Sequence, residues 1–267
     1  MQIVVNEQNC QVASQIGLFA VCALRKPDAD LILLNGCPVT VDQPLKDGDR
    51  VVLLRCGEAP TGAELEAVMV SRHTPEVHFK VKNRCVGIAG VGGLGSNIAV
   101  ALARVGVGRL VVADFDLVEP SNLNRQHYFI DQIGLPKVLA LQEILKRVSP
   151  AIGVEAIHEK ITGANLCTHF SAVDVMVEAF DEVEQKTMLI SHFLSNFPHI
   201  PLVAASGLAG YEPANRITTR RVAKNLYVCG DGESVVQPGL SLMAPRVGVA
   251  AHHQANAVLR LLLGEEP

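Results

Sequence analysis

The chain has 267 residues, with 23 Lys plus Arg against 27 Asp plus Glu and a formal net charge of −4. With no long run of either sign, that balance excludes a broad electrostatic surface for nucleic acid or anionic membrane, so any phosphate binding has to be local. Apolar residues make up 49% of the chain and aromatics 4%, with no tryptophan, which suits an Ala, Val, Leu and Gly-rich α/β core of one large and one small domain better than an aromatic binding platform.

The first residues, MQIVVNEQN, lack a basic segment leading into an apolar one. No apolar stretch approaches the roughly 20 residues that span a bilayer, so a cytoplasmic protein with no membrane partner is expected. Seven cysteines are scattered along the chain without a C-x-x-C pair, which argues against a disulfide framework.

Residues 1–58 read as a small unit. Apolar residues 3–5 and a second stretch near Val12 flank a polar turn and predict a hairpin; Ser14 is placed to cap a helix running to about Leu24. Strands are predicted over 31–34 and 51–54, with turn signals at Asn35-Gly36 and at 46–49 between them. Hairpin, helix, then strands is the order of a β-grasp (ubiquitin-like) domain, although an unrelated small α+β module fits the same signals. The phrases LNGCPVT and PLKDGDRVVLL also resemble the small sulfur carrier of thiamin biosynthesis. Residues 59–79 read as a linker with a short helix over 63–71.

From residue 80 to 267, strand-like and helix-like segments alternate: CVGIAG, a helix over 94–105, RLVVAD, a helix over 137–148, VDVMVEA, a helix over 184–194, PLVAAS, and a last helix to about Leu263. This rhythm predicts an α/β domain, Rossmann-like, with a mainly parallel sheet and helices on both faces.

The sharpest local signal is Gly90-Val91-Gly92-Gly93-Leu94-Gly95-Ser96, which follows an apolar strand and opens a helix. Glycines let backbone amides approach a phosphate, and a helix N-terminus adds positive potential. Asp114 ends the next strand, where a carboxylate can accept bonds from ribose hydroxyls. Up to this point a dinucleotide-binding dehydrogenase would look the same. The segment DFDLVEPSNLNRQHYFIDQIGLPK then sets Arg125 and Lys137 after that strand, with Ser121, Asn122 and Asn124 ahead of Arg125. Hydride transfer has no need for two cations there, whereas attack on the α-phosphate of ATP requires charge neutralisation as pyrophosphate leaves.

With GVGGLGS, DFD, SNLNRQ, the G-x-P-K ending at Lys137 and MAPRVG from Met243, residues of about 80–265 resemble the ubiquitin-activating superfamily. More specifically, they are similar to the bacterial adenylyltransferases that charge the sulfur carriers of thiamin and molybdopterin synthesis. The resemblance implies that Gly90, Gly92, Gly93 and Gly95 form the ATP loop, with Gly93 against the phosphates, and that Asp114 holds the ribose. Ser121, Asn122, Asn124, Arg125 and Lys137 would contact the triphosphate, and Asp181 would handle Mg2+ and nucleotide. Catalysis is expected from Arg125, Lys137 and Asp181, with Asp116 either assisting or capping the next turn. The implied substrate is the C-terminal Gly-Gly carboxylate of a small sulfur-carrier protein, adenylated before thiocarboxylate formation, with the fused segment favouring thiamin biosynthesis; the alternatives are a molybdopterin-type carrier, a peptide C-terminus, a modified tRNA, or a catalytically silent nucleotide- and carrier-binding module. A sulfur donor enzyme and a homodimer are the further partners implied.

The sequence departs from the family in three places. It lacks the C-x-x-C pairs of the relatives' structural zinc site, so no zinc is expected. The stretch Ser234-Val235-Val236-Gln237 offers none of the reactive cysteine that many relatives carry ahead of MAPRVG; nearby Cys229 either substitutes for it or, the favoured reading, is a small buried residue. The β-grasp segment ends Leu54-Arg55-Cys56-Gly57-Glu58 and runs on, so it has no free Gly-Gly carboxylate. Arg72 stands roughly where relatives offer an arginine to a partner subunit's site, though a solvated helix-end residue is the favoured reading, and His252-His253 reads as a surface pair rather than a ligand set.

Overall fold

In the computed structural model, which describes residues 1–267, the chain divides into the units Met1–Phe79 and Lys80–Pro267. In the first unit, β1 (Gln2–Val5) turns back into β2 (Gln8–Gln11) through Asn6 and Glu7, both at positive φ (46° and 63°). Such a two-residue turn matches the twist of the paired strands. The Asn6 amide also reaches β5 (Arg50–Leu54): its nitrogen donates to the Leu53 carbonyl at 3.1 Å and its oxygen accepts from Leu53 N–H at 2.9 Å. With β3 (Leu31–Leu34) and the short β4 (Cys37–Pro38), the strand order is β2-β1-β5-β3-β4.

Helix α1 (Leu18–Arg25) covers one face of this sheet, burying Leu18, Val21 and Cys22 among Ile3, Val5, Leu45 and Leu53. It begins later than expected. Gly17, not Ser14, is its N-cap, and the open amide of Phe19 donates to the Asp42 carboxylate at 2.9 Å, so the cap comes from a distant loop. A second helix, α2 (Gly62–His73), has a local cap. Thr61 accepts from Glu64 N–H at 3.3 Å and the Glu64 carboxylate accepts from Thr61 N–H at 2.8 Å. Its Ala67 packs with Leu33 and Val52 of the sheet, and Glu64 pairs with Lys26. Helix α3 (Pro75–Lys82) then leads into the second unit.

The second unit is a seven-stranded sheet. Its strands are β6 (Cys85–Ala89), β7 (Arg109–Ala113), β8 (Gly153–Ile157), β9 (Val175–Glu178), β10 (Leu202–Ala205), β11 (Thr218–Ala223) and β12 (Leu226–Gly230), in the order β11-β12-β10-β9-β6-β7-β8. All neighbours are parallel except the β11–β12 pair. The apolar runs VMVE and LVAA of β9 and β10 are buried throughout, as strands covered on both faces must be.

On one face, α4 (Gly93–Val105), α5 (Lys137–Val148) and α8 (Ala244–Leu263) share a core with Val86, Ile88, Leu110 and Val203. On the other, α6 (Leu166–Phe170) and α7 (Val183–Asn196) bury Phe170, Leu189 and Phe193 against Val111, Met176 and Leu202. Helix α4 ends at Gly106 with φ 89°, where Gly106 and Val107 N–H satisfy the last carbonyls of Ala103 and Leu102. Strand β8, helix α6 and the β11–β12 hairpin have no counterpart among the elements that the sequence predicts. No helix is long and apolar enough to cross a membrane.

Candidate nucleotide site

A cleft of about 490 Å³ opens at the C-terminal ends of β6, β7, β9 and β10, where ligands bind in parallel sheets of this kind. Its floor is the glycine turn. Gly90 has φ 86°, and a Cβ there would stand 2.7 Å from the Ala179 carbonyl oxygen. Gly95 lies inside α4, where a Cβ would stand 1.9 Å from the Gly90 carbonyl oxygen. The turn therefore closes tightly onto its own helix, and Gly92 and Gly93 at the start of α4 line the cleft. Backbone amides at a helix start, unshielded by side chains, favour an anion.

Asp114 is nearly buried at the end of β7. Its two carboxylate oxygens accept from Val91 N–H at 2.8 Å and from Asp116 N–H at 2.9 Å. Burial pushes this carboxyl above its ordinary value, while the two N–H donors and the charge of Lys137 act in the opposite direction. Lys137 starts α5 and is itself buried; its amine donates to Asp116 at 2.7 Å. Asp116 is thus the lysine's partner, and its main chain carries a further bond, from Lys137 N–H to the Asp116 carbonyl.

Arg125 has no carboxylate partner. One terminal nitrogen donates to the Ser121 carbonyl at 3.1 Å and to the Asn124 amide oxygen at 2.8 Å, and its buried Nε has no hydrogen-bond partner. A guanidinium with unspent donors on a cleft wall is suited to a polyanion. Asp181 follows β9, is exposed, lines the same cleft and takes part in no hydrogen bond or ion pair. One free carboxylate fits magnesium, which takes most of its oxygen ligands from phosphates and water.

Gly90, Gly92, Gly93, Asp114, Arg125, Lys137 and Asp181 therefore meet in one cleft. Four other sequence-derived candidates stand behind it. Gly95 packs under the turn, and the Asn122 side chain accepts from Glu119 N–H at 3.0 Å, capping a short 3-10 turn. Asn124 and Ser121 hold Arg125. Cys229 is fully buried in β12 and does not line the cleft; burial pushes its thiol up to about 11.

Sequence reading missed two features of the cleft. Lys160 stands 5.4 Å from the Phe115 ring, a contact between the segments after β7 and after β8 that no local pattern signals. Glu178, wholly buried at the end of β9, pairs at 2.5 Å with Lys186 of α7.

A glycine turn, a nearly buried carboxylate and two cations at the edge of a parallel sheet fit an ATP-dependent nucleotidyltransferase of the ubiquitin-activating type. The chain belongs to the ThiF family, which matches residues 66–267, and residues 1–57 match the ThiS-like ubiquitin family. Among characterised relatives, the molybdopterin-synthase adenylyltransferase of Escherichia coli is 31% identical over 69% of this chain and 75% of its own length. The SAMP-activating enzyme E1 of Haloferax volcanii is 35% identical over 72% of each chain. The tRNA threonylcarbamoyladenosine dehydratase of E. coli is 33% identical over 52% of each chain, so this chain spans about half of it. The crystal structure of that dehydratase in complex with ATP superimposes with a TM-score of 0.68 and 22% identity, over 73% of this chain and 92% of the other, a likeness of fold.

Proposed function

We propose that the protein adenylates the C-terminal Gly-Gly carboxylate of a small sulfur-carrier protein, of the thiamin type. The observation that carries the chemistry is the unspent guanidinium of Arg125, packed against Gly93 of the glycine turn, in the same cleft as buried Lys137. The names of the relatives from E. coli and H. volcanii, and the ThiS-like segment on the same chain, support a ubiquitin-like carrier as substrate. The thiamin assignment rests on the fused segment's own resemblance to that carrier.

In this reading Gly90, Gly92 and Gly93 receive the phosphates and Asp114 the ribose, while Gly95, Ser121, Asn122 and Asn124 hold the loop and the arginine in register. The carrier's carboxylate oxygen attacks the α-phosphorus; an O–P bond forms, the bond to the β-phosphate bridge breaks, and pyrophosphate departs. No general base is needed, since a terminal carboxylate is ionised near neutral pH. Arg125 and Lys137 neutralise the charge that grows on the phosphates. Asp181 would hold magnesium, which when bound offsets phosphate charge. A sulfur-donating partner, a homodimer and a cytoplasmic setting complete the reading.

The test is ATP–pyrophosphate exchange with thiamin-type and molybdopterin-type carriers ending in Gly-Gly. Exchange with the thiamin-type carrier alone is the expected result. Exchange only with the molybdopterin-type carrier would move the pathway, and ATP binding without exchange would point to another carboxylate or to a silent binding module.

A further inference from the structure

The cleft has a second charged wall that the mechanism above does not use. Glu178 has no exposed surface, yet its carboxylate sits at the mouth of the sheet. One oxygen accepts from Phe180 N–H at 2.8 Å and the other from the Lys186 amine at 2.5 Å. Its own carbonyl accepts from the Gln254 amide of α8 at 3.0 Å, so strand, turn and helix are tied at one residue. The turn so fixed carries Asp181, and Lys186 projects from α7 into the cleft with its side chain 23% exposed.

A lysine in this position cannot swing freely into water. Leaving Glu178 would strand a buried carboxylate, a cost far above that of an ordinary rotamer change. The amine is therefore held at one point on the cleft wall, and two of its three N–H donors remain available for a ligand. Arg125 and Lys137 approach the cleft from the connection after β7 and the start of α5; Lys186 approaches from α7, after β9.

We propose that Lys186 is a third phosphate-binding cation of the site, and that Glu178 is the positioning residue that fixes both this amine and the turn bearing Asp181. The proposal rests on the ATP-binding role of the cleft given above, but not on the identity of the carrier. It assigns Lys186 to the triphosphate rather than to the base or ribose, because the carboxylate that holds the amine also fixes the turn leading to the magnesium-type carboxylate Asp181.

The experiment is equilibrium binding of MgATP and, separately, of adenosine to the full chain without any carrier, for the native protein, Lys186→Ala, Lys186→Arg and Glu178→Gln, each with a thermal melt. Lys186→Ala is expected to weaken MgATP binding about tenfold or more, the scale of one lost charge-assisted contact, with adenosine binding unchanged. Lys186→Arg should recover most of the loss. Glu178→Gln should show a smaller loss of the same selective kind. Equal MgATP affinity in native and Lys186→Ala protein would overturn the proposal, and so would a parallel loss of MgATP and adenosine binding with a lowered melting temperature and no recovery by arginine. Failure of the carrier assignment would instead appear as intact MgATP binding by the native chain without pyrophosphate exchange.

Discussion

Asp114 and Tyr128 hold the two peptide groups that flank Val91: the Asp114 carboxylate accepts from Val91 N–H at 2.8 Å, and the buried Tyr128 hydroxyl donates to the Val91 carbonyl at 2.7 Å. Val91 is the residue between Gly90 and Gly92, so the shape of the glycine turn is set by two side chains outside it. Burial, followed by the nearby charges of Asp114 and Asp116, pushes the Tyr128 phenol well above its ordinary value, so it remains a donor at any working pH.

Tyr128→Phe keeps the ring and removes the bond, leaving the Val91 carbonyl without its buried donor. The expected cost is about 1–3 kcal/mol of stability, with a several-fold weaker affinity for ATP. Urea unfolding and nucleotide titration of the same preparation measure both. A variant with native affinity would mean that Asp114 alone suffices to shape the turn.

Gly95→Ala tests the turn from beneath. The added methyl would meet the Gly90 carbonyl oxygen at 1.9 Å, and because both partners are backbone, neither can move aside as a side chain would. Loss of soluble folded protein, or ATP affinity reduced by more than tenfold, is expected. Gly134→Ala is not an equivalent control, since that glycine has φ 88° and would carry strain of its own.

How the site is assembled was only partly legible from the sequence. Strands β6, β7, β9 and β10 could be read because each is built on an apolar run, and the glycine turn because its spacing is functional. Strand β8, GVEAI, alternates polar with apolar and lies at the sheet edge, so its signal is weak. The hairpin strand β11, TTRRVA, is largely exposed and polar, and only its pairing with β12 makes it a strand. Remote partners were out of reach altogether: nothing local to α1 tells that Asp42 will cap it, and nothing in EAFDEVEQK tells that Glu178 will be buried against Lys186.

Arg125→Ala separates chemistry from binding. Arg125 is held by Ser121 and Asn124 but bonds no carboxylate, so its removal strands no buried charge and should leave the melting temperature nearly unchanged. Pyrophosphate exchange should fall by about 10²–10³-fold, the scale of a lost transition-state donor. An unchanged exchange rate would remove Arg125 from the mechanism.

Cys229 is expected to be silent. Its thiol is buried in β12, pushed up to about 11, and in contact with Thr219. At pH 8 the thiolate is a small fraction of a group that reagent cannot reach. Peptide mapping after brief alkylation of the native chain should find Cys37 and Cys56 modified and Cys229 intact until denaturant is added. Rapid labelling of Cys229, or loss of exchange in Cys229→Ala without loss of stability, would restore a role for it in sulfur transfer.

The last prediction concerns the entry to α8. Asp231 and Arg246 pair at 2.5 Å with side chains only 2% and 3% exposed, and Arg246 also donates to the carbonyls of Glu212 at 2.5 Å and Pro213 at 3.2 Å. Burial alone would raise the Asp231 carboxyl. Hydrogen bonds from the Ser234 side chain, Ser234 N–H and Glu233 N–H, together with the charge of Arg246, more than offset that and hold it well below its ordinary value. A carboxyl depressed in the folded state contributes stability above its unfolded value, about pH 4, and that contribution is lost as pH falls through the folded value. Asp231→Asn should therefore cost about 3–5 kcal/mol at pH 7, because it leaves a buried guanidinium without its counter-charge. Native and variant stabilities should approach each other as the pH is lowered below about 4, since the unfolded carboxyl then takes up a proton while the folded one, held low by its partners, stays ionised. Unfolding curves at pH 7 and in steps toward pH 3 measure both parts, and a difference that stays constant with pH would show that Asp231 acts through hydrogen bonding alone.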